Sequence, residues 1–173
     1  MTVPPRPTAT KVKARRRNGF ISYARADYKM FEAFGTDLRS IERAYKLAFW
    51  SDKRINAGYH WEPEILDHIN AADVIVMLLS PSFFASDYIW DKELPAIKAR
   101  RALPGNCLVL PVVLKPCQWD LVSAHRQAVP VQNGVLRPIA AWKPKSSGQD
   151  CARAQIFDSI KAFHPWKPQR ATV

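Results

Sequence analysis

Glycine is scarce in this chain. Its 173 residues hold six, at positions 19, 35, 58, 105, 134 and 148. No two stand close enough for a G-x-G-x-x-G turn or a phosphate loop, which argues against a Rossmann dinucleotide site and a nucleotide triphosphatase. H-E-x-x-H and G-x-S-x-G are missing too. The four histidines (60, 68, 125, 164) are scattered. His60 and His68 could share one helical face, but no third ligand accompanies them, so no metal site and no bound cofactor are expected. Cysteine is limited to Cys107, Cys117 and Cys151, an odd number with no C-x-x-C. They read as free thiols in a reducing cytoplasm rather than as a disulfide framework. No run of 18 apolar residues exists to cross a membrane, and no apolar stretch near the N-terminus resembles a secretory signal.

What is present is enough for one well-filled domain. Apolar residues make up 47% and aromatic residues 11%, which excludes a disordered chain or a minimal disulfide scaffold. The net charge of +11 is unevenly spread. Residues 1–17 carry six basic side chains and no acid; residues 143–173 carry six basic and two acidic; the span 18–142 carries 14 basic and 13 acidic. The central part is thus nearly neutral and the ends are basic. Residues 1–17, rich in Pro, Thr, Lys and Arg without apolar periodicity, are expected to form a flexible basic tail, and 166–173 a C-terminal tail. The domain is expected over 18–165. A near-neutral domain and a tail lacking interleaved aromatics make nucleic acid an unexpected partner.

Along the chain, strand and helix signals alternate. Gly19-Phe20-Ile21-Ser22-Tyr23 suits a buried strand. Phe31, Phe34, Leu38, Ile41 and Tyr45 recur every three or four residues and share one helical face. Leu47-Ala48-Phe49-Trp50 is a second strand, followed by a polar loop over 51–58. Trp61, Ile65 and Ile69 mark a second helix. Val74 to Leu79 is an uninterrupted apolar run, as in a strand covered on both faces. A helix is expected from Tyr88 to about Arg101, a fourth strand over Leu108 to Leu114, a fifth over 138–142, and a last helix over 151–163. Such alternation predicts an α/β domain with a five-stranded parallel sheet and helices on both faces. Ligands of such sheets bind outside the carboxyl ends of the strands, here the loops after Tyr23, Trp50, Leu79 and Leu114.

One short cluster in that region is both acidic and aromatic: Asp87-Tyr88-Ile89-Trp90-Asp91-Lys92-Glu93. Its plain reading is structural. Asp87 would cap the helix, Asp91 and Glu93 would complement the dipole of its first turn, and Tyr88 and Trp90 would pack.

Five segments in register resemble the Toll/interleukin-receptor homology (TIR) domain, bacterial type. They are Phe20-Ile21-Ser22-Tyr23 with Arg25 and Asp27; the loop Asp52 to Gly58 with Trp61-Glu62-Pro63-Glu64-Ile65; Ala72 to Phe83 with its Leu79-Ser80-Pro81 exit; Ser86 to Leu94; and Leu110 to Trp119. The resemblance implies a flavodoxin-like fold. It implies an enzyme that uses NAD+ as substrate and cleaves the nicotinamide–ribose bond without a metal. Glu93 stands at the family's catalytic glutamate. Tyr88 and Trp90 flank it as an aromatic wall, and Ile89 holds the position where the family usually has an aromatic. Pro95 requires the helix to begin late, near Lys92.

Other positions carry over singly. Tyr23, Ala24 and Arg25 follow the first strand where relatives contact the nucleotide; Arg25 pairs either with a phosphate or with Asp27. Lys53, Arg54 and Gly58 belong to a loop that in relatives reaches the active site or a neighbouring protomer. Self-association through TIR–TIR contacts is implied, and a downstream effector sensing an ADP-ribose-derived signal is a further implied partner. The setting would be antiphage immunity, as in Thoeris-type systems, or NAD depletion. The product is left open between ADP-ribose and its cyclic or conjugated forms. The alternative is a non-catalytic adaptor that acts through homotypic contacts.

Overall fold

The computed structural model describes residues 16–51, 61–103, 107–122 and 128–163. The expected tails and the loop residues Lys53, Arg54 and Gly58 lie largely or wholly outside those residues.

Strand β1 (Arg17–Tyr23) leads through a single 3-10 turn at Arg25–Asp27 into helix α1 (Tyr28–Tyr45). Phe31, Phe34, Leu38 and Ile41 are at most 1% exposed, as their spacing predicts. Burying each contributes about 1.5–3 kcal/mol, which is why this amphipathic segment is held as a helix. It ends at Lys46, whose left-handed backbone (φ 51°) turns the chain into β2 (Leu47–Ser51). Helix α2 (Trp61–Ala71), strand β3 (Val74–Leu79) and the short helix α3 (Pro81–Phe84) follow. A π turn at Ile89–Glu93 runs into α4 (Leu94–Ala102), and β4 (Leu108–Val113) completes the sheet. The sheet is parallel throughout, in the order β2-β1-β3-β4.

Side-chain alternation distributes the core over two faces. Ile21, Val74, Val76, Leu78, Leu110 and Val112 meet α1 and the last helix, α5 (Lys145–Ala162). Phe20, Ile75, Met77, Leu79, Val109 and Val113 meet α2, α3 and α4. A parallel sheet with helices on both faces is therefore present, as expected.

The fifth strand is not where the sequence put it. Residues Ile139–Ala141 form a 3-10 turn, with the Ala140 N–H bonded to the Leu114 carbonyl at 2.9 Å. Among the described residues, the edge beside β4 is met by Val129 through a single parallel bridge to Val112. Pro130 follows it directly and has no N–H. The next donor, Val131 N–H, is taken by Gln155 Oε1 at 2.8 Å. Residues Val131–Gln132 (β5) and Val135–Leu136 (β6) instead form a small antiparallel hairpin around Asn133 and Gly134. Both turn residues have positive φ, the conformation an Asn-Gly turn supplies.

The last helix starts six residues earlier than its apolar spacing indicates. Gly148 permits this start. A Cβ there would lie 2.6 Å from the Trp142 ring, so glycine lets the tryptophan pack against the first turns of α5.

Candidate active site at the carboxyl edge of the sheet

All four strands end on one edge, and the chain collects its buried polar side chains there. Among the described residues the buried polar or charged ones are Ser22, Asp27, Ser80 and Glu93. Ser22 lies at the end of β1 and Ser80 directly follows β3, Asp27 lies in the turn after β1, and Glu93 faces β1 from the helix above.

Ser22 shares the face of Phe20, one residue out of phase with Ile21 and Tyr23. Its hydroxyl donates to Glu93 Oε2 at 2.5 Å. Glu93, only 6% exposed, reaches it from the end of the π turn. The π turn has a local cause. Pro95 lacks an N–H, and in a regular helix its ring would press on the carbonyl four residues earlier. The preceding turn is widened by one residue, so the Leu94 N–H bonds to the Ile89 carbonyl. Glu93 comes to lie with Ile89 and Leu94 on the buried side, while Trp90, Asp91 and Lys92 face out. Helical structure already begins at Asp87, so the helix does not start late as Pro95 suggested. Its cap is Ser86, whose Oγ accepts from the Ile89 N–H at 3.4 Å, rather than the expected Asp87.

A second polar group sits beside the first. Asp27, 1% exposed, accepts the Ser80 hydroxyl on Oδ2 and the Lys115 ammonium on Oδ1, the latter at 2.5 Å. Ser80 in turn accepts the Phe83 N–H at 3.1 Å and so caps α3. One carboxylate thus links the exits of β1, β3 and β4. Arg25 lies exposed at the rim.

The residues expected to bind substrate do not all converge. Ala24 and Ile89 are buried in the same cluster as the Glu93 helix, and Tyr88 packs partly against it. Trp90 is 46% exposed, its ring edge-on to Phe84 with centroids 6.4 Å apart. Tyr23 points to the opposite face of the sheet and stacks on Phe31, with centroids 4.1 Å apart and planes within 6°. A one-residue step along a strand reverses the face, so Ser22 rather than Tyr23 meets Glu93. Lys53, Arg54 and Gly58 lie outside the described residues. Trp50 stacks between Phe20 and His68, at 5.7 and 4.0 Å, and walls the β2 side.

The site roles of Ser22, Ser80, Asp27 and Lys115 were missed from sequence. Their signal was available: each stands at or just past the end of an apolar strand run, where a polar side chain is out of pattern. Among the described residues, no group of three His, Cys, Asp or Glu side chains is placed to hold a metal ion.

A protein-family model described as TIR domain matches residues 20–142. The chain is 32% identical over 123 residues to the uncharacterized protein y4lF of Sinorhizobium fredii (strain NBRC 101917 / NGR234). That alignment takes in 71% of this chain but 37% of the relative's length. Among solved structures, a 2-desoxiribosyltransferase from Leishmania mexicana is similar at 21% identity with a TM-score of 0.42, covering 57% of this chain and 65% of that one.

Proposed function

The chain belongs to the TIR domain family, and on that premise we propose that it cleaves NAD+ at the nicotinamide–ribose bond, with Glu93 as the catalytic carboxylate. The observation that carries this reading is a buried glutamate at the carboxyl edge of a parallel sheet, held by the Ser22 hydroxyl at 2.5 Å. A carboxylate that only decorated a first helical turn would face water; this one is turned inward.

The chemistry needs little more. The C1′–N bond breaks and its electron pair goes to the pyridinium nitrogen, so nicotinamide leaves neutral and no general acid is required. The ribose becomes oxocarbenium-like, as in glycoside hydrolysis. A carboxylate oxygen about 4 Å from that charge, at an effective dielectric of about 20, stabilises it by roughly 4 kcal/mol. That is about a thousandfold in rate. Ser22 orients the Glu93 carboxylate through a hydrogen bond to Oε2, and the carboxylate would engage the ribose. Water adding to C1′ and losing a proton gives ADP-ribose; a hydroxyl or ring nitrogen in its place gives a conjugated or cyclic product. Ala24, Ile89 and Tyr88 line the side where the nicotinamide end would lie, and Arg25 at the rim would meet the pyrophosphate. Lys53, Arg54 and Gly58 would act from the loop, and Trp90 from the outer rim. Self-association would complete the site, in an immune or NAD-depleting role.

The test is NAD+ consumption, with products identified by mass, at high protein concentration with a crowding agent. Wild type is compared with Glu93→Gln, whose amide oxygen still accepts from Ser22. The expected result is turnover by wild type and about a thousandfold less by Glu93→Gln, with equal thermal unfolding. Equal turnover by both sinks the assignment of Glu93. No turnover by either, with assemblies intact, favours the adaptor reading.

A further inference from the structure

A dinucleotide carries a negatively charged diphosphate, and the carboxyl edge of the sheet already carries acids. Glu93 and Asp27 are buried there, and Asp87, Asp91 and Asp120 are exposed beyond the ends of β3 and β4. A diphosphate is repelled at such an edge unless a cation is fixed beside it.

Several cations stand at this edge, and they differ in how they are held. Lys29, Lys143 and Lys145 are exposed near the starts of α1 and α5. Lys92 pairs with Glu62 at 3.0 Å, both side chains being about half exposed, and such surface pairs hold their members loosely. Arg25 is exposed on the turn after β1. Lys115 is anchored from below. Its ammonium donates to Asp27 Oδ1 at 2.5 Å, and the Asp27 side chain is fully buried. The buried Ser80 hydroxyl donates to the other oxygen of Asp27, so the carboxylate is fixed from both sides. An ammonium has three N–H donors. Among the described residues Asp27 is its hydrogen-bond partner, and the Lys115 side chain is 39% exposed. Donors therefore remain for water or a ligand.

The position suits a dinucleotide. Lys115 lies two residues past β4. Cys117, two residues further on, packs on the same side of the sheet as Ala24, Ile89 and the Glu93 helix. The strand order β2-β1-β3-β4 sets the exits of β1 and β4 two strand spacings apart, roughly 10 Å. A ribose at Glu93 with its 5′-diphosphate can span that gap. Asp27 also closes the turn that carries Arg25, which places the two cations on one local framework.

We propose that Lys115, held by Asp27, is a substrate-binding residue that takes the diphosphate of the dinucleotide whose ribose lies at Glu93. The inference rests on the reading of this edge as the NAD+ site. The pair with Asp27 is neutral as a whole, so Lys115 acts at contact distance, through charge-assisted hydrogen bonds. Its head is positioned before the ligand arrives, so less side-chain freedom is lost on binding.

The experiment is titration calorimetry of ADP-ribose with the full chain, as wild type and as Lys115→Gln/Asp27→Asn. The double substitution removes the ammonium without stranding a buried charge, and its two amides can still bond to each other. Thermal unfolding checks that it is folded. The variant is expected to bind ADP-ribose at least tenfold more weakly. Where NAD+ is turned over, KM is expected to rise at least tenfold and kcat to change less than threefold, since the contact is made equally in ground and transition states. Equal affinity in the two proteins overturns the proposal, as does absence of ADP-ribose binding by wild type at millimolar concentration. Inorganic pyrophosphate bound as tightly as ADP-ribose overturns the assignment to a dinucleotide. A second readout needs no substitution. Acetylation of wild type by acetic anhydride, followed by peptide mass, is expected to slow at least threefold at Lys115 under saturating ADP-ribose and to stay unchanged at Lys98. Unchanged labelling of Lys115 overturns the proposal. Both readouts are independent of turnover: NAD+ left intact by a wild type that binds ADP-ribose through Lys115 would sink the role of Glu93 and not that of Lys115.

Discussion

Asp27 and Lys115 are unequal partners, and the inequality can be measured. The Asp27 side chain is fully buried, whereas that of Lys115 is 39% exposed. Removing the lysine strands a buried charge; removing the charge on the aspartate leaves an ammonium that water can reach. Lys115→Met is therefore expected to cost about 3 kcal/mol. Asp27→Asn keeps an acceptor for Ser80 and is expected to cost about 1–2 kcal/mol. Urea denaturation of the two variants checks the order, and the reverse order would mean that Asp27 serves chiefly through its hydrogen bonds. The pair also shows where reading single residues runs out. Asp27, Ser80 and Lys115 are far apart in the chain, and only the convergence of three strand exits makes them one group.

At the scale of the element, the turn before α4 sets the direction of Glu93. Pro95 is the reason for the π turn, and it lies on the exposed side of the helix. Pro95→Ala restores a donor and permits regular helical bonding through Leu94 and its neighbours, which turns Glu93 about the axis away from Ser22. The expected outcome is an unchanged or raised melting temperature together with at least a tenfold loss of NAD+ turnover. A variant that kept both would show that Glu93 is placed by its own packing. The strands were legible from their apolar runs because both of their faces are covered. The fifth strand was not, since Pro130 and Pro138 interrupt the candidates, and hydrogen-bond supply decides what apolarity suggests.

For the molecule as a whole, two cysteines bracket β4 and report on its burial. Burial pushes the thiols of Cys107 and Cys117 up to about 11, with nearby Asp120 and Asp27 adding to the shift at Cys117. An unfolded chain releases those protons near pH 9, while the folded chain keeps them until about pH 11. Between these values the folded state binds more protons, so stability falls as pH rises. The unfolding midpoint is expected to drop across that window, and Cys107→Ala/Cys117→Ala to flatten the drop. A drop of equal steepness in the variant would assign it to other groups.

Glu93 was singled out only by the resemblance to the TIR family. Taken alone, the periodicity of the residues determined the α/β class, the extent of β3 and the buried face of α1. These are local matters, because the periods of burial along a strand or helix are written in the chain itself. The tertiary structure decided which residue of the first strand faces Glu93. It also decided that Tyr23 stacks on Phe31 instead, and that Lys115 reaches the buried Asp27 from the exit of β4. Each of these turns on the phase of a strand or the direction of a helix, which a sequence sets only once its neighbours are in place.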